Sequence, residues 1–85
     1  MKINVLFFAT LREKLQTSSA ELEVNGDTVS DALHAITEHY PLIRDWIEGK
    51  RVHIALNDEY VEKDSKIREN DTLALIPPVS GGCDG

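Results

Sequence analysis

The residues most open to chemistry in this 85-residue sequence are two glycines, Gly81-Gly82. They follow Pro77-Pro78 and the apolar run TLALI at 72–76. Glycine has no Cβ, so two in a row let a chain end thread a narrow channel at any φ. A chain end of that kind suits delivery of a C-terminal carboxylate into another protein's active site. Glycine-rich ends also fray without purpose. The setting, after an apolar strand and Pro-Pro, lifts this pair above that reading. The other reactive groups form no set. His34 and His39 are five residues apart, which is not the i, i+4 spacing of a helical zinc pair, and His53 stands alone. The serines at 18, 19, 30, 65 and 80 have no base close in sequence. Glu21/Glu23 and Asp58/Glu59 sit on predicted turns or solvent faces and read as solubilising charge. Cys83 is the only cysteine, which excludes an internal disulfide and a cysteine-rich zinc site and fits a reducing, cytosolic home.

Charge narrows the partners. Nine Lys+Arg against fifteen Asp+Glu give a net charge of −6. Nucleic-acid binding draws on clustered basic residues, and here Lys50-Arg51 are the only adjacent pair. Nucleic acid and anionic membrane are therefore poor partners, and the acidic surface has two readings of equal standing: it steers the chain toward a basic protein partner, or it merely keeps a small domain soluble. Hydrophobic residues at 41% are too many for simple disorder. No apolar run approaches the ~20 residues of a membrane span. The opening Met1-Lys2-Ile3 and the short apolar run after it carry no signal-peptide cleavage site.

The elements that must position the tail read as follows. Residues 2–8 (KINVLFF) alternate as a strand, with Ile3, Val5 and Phe7 on a core face. The other face keeps Leu6 and Phe8, more apolar than free exposure requires, so a helix or a partner covers it. Residues 10–16 read as a short helix, capped by Thr10 with Glu13 three residues on. Residues 20–24 alternate as a second strand, hairpin-like with the first. Thr28 caps the main helix, with Asp31 in its first turn. Val29, Ala32, Leu33, Ile36 and Tyr40 form its buried stripe, and Pro41 stops it. Residues 41–48 add a helical turn that Gly49 ends. Residues 51–57 form a strand, Asn57-Asp58 a hairpin turn, and Tyr60-Val61 a short return strand. Residues 62–71 are a polar loop with Ile67 as its plug. In the last strand, 72–76, Leu73 and Leu75 face one side and Ala74 and Ile76 the other. Pro77-Pro78 ends the sheet.

This order predicts an α+β domain of two layers, a mixed sheet of four to five strands packed by one main helix. The first and last strands are the most apolar, so they pair in parallel at the sheet centre through a right-handed crossover. Residues 1–78 form the domain and residues 79–85 a flexible tail.

Several stretches then resemble a known family, the small subunits of molybdopterin synthase, which are ubiquitin-like β-grasp sulfur carriers. They are 2–9 around VLFFA, Leu11-Arg12-Glu13, Thr28-Val29, Gly49-Lys50, 55–57 and, most specifically, NDTLALIPPVSGG at 70–82. The related thiamine-pathway carriers are shorter and lack the Pro-Pro-Val lead. The resemblance implies a ubiquitin-like β-grasp fold and a mechanism. An E1-like enzyme adenylates the Gly82 carboxylate with ATP, and a sulfurtransferase supplies the sulfur that makes a thiocarboxylate. The tail (Val79, Ser80, Gly81, Gly82) then docks into the large synthase subunit and donates sulfur to a cyclic pyranopterin precursor. The carrier itself binds no cofactor. The resemblance also places partner contacts at Phe8, Tyr60, Ile76, Pro77 and Pro78.

The family's chain normally stops at the second glycine, whereas Cys83-Asp84-Gly85 follows here. While those residues remain, Gly82 has no free carboxylate. Three explanations fit: a precursor trimmed by a processing protease, which we favour, residues added in cloning, or a vestigial diglycine. A Cys83 thioester formed by an N-to-S shift lacks any nearby group to activate the thiol. Other functions also stay open: a sulfur carrier for tRNA thiolation, a thio-metabolite or cysteine synthesis, a ubiquitin-like modifier conjugated to lysines, and a non-catalytic interaction domain.

Overall fold

Alternating apolar residues start the chain as a strand, and the same alternation recurs at its far end. The structure, a computed structural model, describes residues 1–49 and 52–77. In chain order the elements are β1 (Lys2–Phe7), α1 (Ala9–Leu15), β2 (Ser19–Glu23) and α2 (Val29–His39). A 3-10 turn (Pro41–Ile43) leads into α3 (Arg44–Glu48), followed by β3 (His53–Leu56), β4 (Glu59–Tyr60) and β5 (Thr72–Ile76). The strands form one five-stranded sheet in the order β2-β1-β5-β3-β4. β1 and β5 pair in parallel, Val5 opposite Leu73 and Phe7 opposite Leu75. The other three pairings are antiparallel. This is the expected mixed sheet of a ubiquitin-like β-grasp domain, with its two most apolar strands adjacent and interior.

One face of the sheet makes the core. Ile3, Val5 and Phe7 of β1 and Leu73 and Leu75 of β5 are no more than 2% exposed. They cluster with Val29, Ala32, Leu33 and Ile36 of α2, with Leu11 of α1, and with Ile43 and Ile47. Tyr40, at the end of α2, meets Phe7 edge-on at 5.2 Å between ring centroids. Pro41 ends α2 as its missing N–H requires, and the chain turns at once into the 3-10 segment.

The start of α2 is held from two sides. The Asp31 amide donates to Thr28 Oγ1 at 3.2 Å, and Asp31 Oδ2 accepts from the Thr28 hydroxyl at 2.9 Å and the Thr28 amide at 3.3 Å. The Thr28 hydroxyl, then the Thr28 amide, hold the Asp31 carboxyl below its ordinary value. Gly26 sits at φ +129°, where a Cβ would collide with that carboxylate. From the other side the loop after β4 lays its carbonyls on the helix start. The Val29 and Ser30 amides donate to the Ser65 and Lys63 carbonyls, and the Ile67 amide to the Asp27 carbonyl. Ile67, the expected plug, is buried.

The start of α1 departs from the sequence expectation, and the return strand expected at Tyr60-Val61 lies one residue earlier, at Glu59–Tyr60. Thr10 does not cap α1: the helix begins at Ala9, Phe8 is its N-cap residue, and no side chain caps it. Ala9 takes a φ of +51°, and the Leu11 amide donates to the Phe8 carbonyl at 3.1 Å. The backbone alone turns β1 into the helix, so Thr10 already lies in the first turn. The strand expected over 51–57 is shorter at its ends, His53–Leu56, with Arg51 outside the described residues.

Candidate functional site

The sheet face away from the core is built from the residues that alternation leaves over. Register lines them into rows, because directly paired residues share a face. Leu6 lies opposite Ala74, Ala74 opposite Ala55, and Ala55 opposite Tyr60. Toward the end of β5 lie Phe8, whose amide donates to the Leu75 carbonyl at 3.3 Å, and Ile76, opposite His53 on β3. The two alanines are short and the side chains around them are long. The result is a groove of about 240 Å³, with Leu6 from β1, Phe8 just after it, Thr72, Ala74 and Ile76 from β5, Ala55 from β3, and Asp58 and Tyr60 from the hairpin.

Apolar character is concentrated at one end. Phe8 is 42% exposed and Tyr60 74% exposed. The next row the other way is polar, with Asn4 between Glu21 and Thr72. The His53 ring lies against Tyr60 with centroids 6.0 Å apart. β5 therefore delivers the chain to Pro77, which is buried, at the apolar end of the face. An exposed aromatic and aliphatic patch of this kind is suited to binding a protein surface.

Of the residues marked out in the sequence, Phe8, Tyr60 and Ile76 come together on this groove, and Pro77 follows directly from Ile76. Pro78, Val79, Ser80, Gly81 and Gly82 lie outside the described residues, as do Cys83, Asp84 and Gly85. His34, His39 and His53 are all exposed. Among the described residues no three His, Cys, Asp or Glu side chains gather as a metal site, and no helix is long and apolar enough to cross a membrane. Leu6, Ala55, Asp58, Thr72 and Ala74 line the groove without being marked out as site residues in the sequence. Alternation gives the face of each residue, but only cross-strand register shows that two alanines would meet and leave a hollow. Asp58 sits in the hairpin turn that was readable from Asn57-Asp58, and its place on the groove follows from that turn.

Comparison with known proteins gives a consistent result. The model of the ThiS family matches residues 5–82. A molybdopterin synthase sulfur carrier subunit from Mycobacterium tuberculosis is 34% identical over 84 residues, covering 96% of this chain and 99% of the relative. One from Dictyostelium discoideum is 33% identical over 85 residues, covering 95% and 96%. Among solved structures, the crystal structure of SAMP1 from Haloferax volcanii superposes with a TM-score of 0.86 at 30% identity, covering 96% of this chain and all of that one.

Proposed function

The chain belongs to the ThiS family, and from that premise we propose that it is a sulfur carrier, the small subunit of a molybdopterin synthase. The observation that supports this most is its near full-length similarity to relatives named molybdopterin synthase sulfur carrier subunits. The reacting atom is the terminal carbonyl carbon of Gly82. A carboxylate is a poor electrophile. An E1-like enzyme makes it a good one by joining it to AMP from ATP, with release of pyrophosphate. A sulfurtransferase persulfide then displaces AMP to give an acyl disulfide, and a thiol reductant cleaves its S–S bond to leave the thiocarboxylate. The large synthase subunit receives the tail and positions its sulfur against a cyclic pyranopterin precursor. The carrier supplies the reactive end and a docking face, and its partners supply charge stabilisation. Docking uses the groove around Phe8, Tyr60 and Ile76, at the end of the sheet from which the tail departs. Removal of Cys83-Asp84-Gly85 by a protease precedes activation, and the whole cycle runs in the cytoplasm.

The test is the intact mass of the protein from its native host while the cofactor is being made. A species ending at Gly82 with one oxygen replaced by sulfur is expected. A chain that keeps Cys83-Asp84-Gly85 throughout would overturn the reading. A ladder of heavier lysine adducts would instead identify a ubiquitin-like modifier. Deleting Gly82 and all that follows is expected to abolish sulfur transfer and leave the fold intact.

A further inference from the structure

Among the described residues Asp58 is the only carboxylate that lines the groove. Among the described residues it makes no hydrogen bond or ion pair. The turn that carries it is rigidly held. The Asn57 amide donates to the Thr72 carbonyl at 2.9 Å. The Thr72 amide donates back to Asn57 Oδ1 at 3.0 Å, and Asn57 Nδ2 donates to Asp71 Oδ1 at 3.1 Å. Asn57 and Asp58 have φ of +50° and +74°. A two-residue turn of that form favours glycine at its second position. Aspartate is among the few residues that tolerate positive φ, but glycine would form the same turn, so the turn does not itself require a carboxylate. An exposed, unpaired charge on a well-held turn beside an apolar hollow has the form of a specificity element.

We propose that Asp58 selects the partner of this face. The groove receives a segment of the large synthase subunit that seats an apolar side chain over Ala55 and Ala74 and sets an arginine or lysine against the Asp58 carboxylate. This rests on the sulfur-carrier reading above. The chain's net charge of −6 draws a basic partner. Docking takes water from Asp58. A partner segment without the cation would leave a covered charge unpaired and be rejected.

The experiment measures binding of the full chain to the large synthase subunit of the same host at low and at high salt. The wild type, Asp58→Asn, Asp58→Lys and Phe8→Ala are compared. Asparagine tolerates positive φ, so Asp58→Asn keeps the turn. Asp58→Asn is expected to weaken binding at least about tenfold at low salt. That loss shrinks at high salt, where exposed charges are screened before docking. Asp58→Lys weakens it further, and Phe8→Ala weakens it equally at both salts. If Asp58→Asn binds within about twofold of wild type while Phe8→Ala is impaired, the charge selection is wrong and the docking face stands. If the wild type does not bind, or Phe8→Ala changes nothing, the docking face itself is wrong and the role of Asp58 falls with it.

Discussion

The two faces of one sheet carry similar side chains and meet different fates. Val5, Phe7, Leu73 and Leu75 on the inner face are covered by the chain's own helices. Leu6, Ala74 and Ile76 from the same two strands, with Phe8 directly after β1, line an open groove. The strands supply hydrophobicity to both sides, but among the described residues the chain folds back over only one. The inner face thus makes the fold, and the outer face is the one proposed to receive a partner. Substitutions on the two faces should therefore separate stability from binding.

The largest effect is expected on the inner face. Leu73→Ala removes a fully buried side chain at the sheet centre. It should cost about 2–5 kcal/mol, since the cavity cannot close fully. Urea unfolding measures it, and the variant should bind normally wherever it stays folded. The outer face should show the reverse. Phe8→Ala or Tyr60→Ala should weaken docking to the large subunit by more than about 1 kcal/mol, as the centre of an interface does. Unfolding free energy should move by less than that, because both side chains are substantially exposed. A Phe8→Ala chain that unfolds at low urea would mean that the outer face is core after all.

Much of this division was legible in the sequence. Period-two alternation placed Ile3, Val5, Phe7, Leu73 and Leu75 inward and Phe8 and Ile76 outward. The leftover apolar residues Leu6 and Phe8 marked the second face as something to be covered. Thr28, Asp31 and Pro41 fixed the bounds of α2 through local chemistry. The start of α1 was not legible, because Ala9 carries no signal for positive φ. Nor was the groove, which depends on Ala74 and Ala55 meeting across β5 and β3. That meeting is set by register, which is a property of the whole sheet.

A smaller effect should fall on stability alone. Thr28→Ala removes the cap of α2, far along the chain from the groove, and should cost about 1 kcal/mol. It also frees Asp31 from the hydroxyl that does most to lower its pKa. A carboxyl with a lowered folded pKa stabilises above its unfolded value of about 3.9 and loses that as pH falls through the folded value. The gap between wild type and Thr28→Ala should therefore be full at neutral pH and narrow below about pH 3.9. Urea midpoints at neutral pH and at low pH measure it. A gap that grows in acid would show that the hydroxyl does not act through the ionised carboxylate. Docking at neutral pH should be unchanged.

Ala9→Gly should give the smallest effect and the sharpest separation, because its two consequences have opposite signs. Ala9 stands at φ +51°, directly after Phe8 and at the start of α1. An L-residue there pays about 1 kcal/mol for crowding of its Cβ. Glycine removes that cost but brings a more flexible unfolded chain, which returns part of the gain. The net stabilisation should be about 0.5 kcal/mol, visible as a higher urea midpoint. The same freedom loosens the joint that holds the Phe8 ring outward beside Ile76. Docking should weaken by a few tenths of a kcal/mol, since the ring must then be ordered on binding. A variant that gained stability with no loss of affinity would show that Phe8 is fixed by its contact with β5 and not by the turn. One that lost both would place Ala9 within the packing of the inner face, where the division between the faces no longer holds.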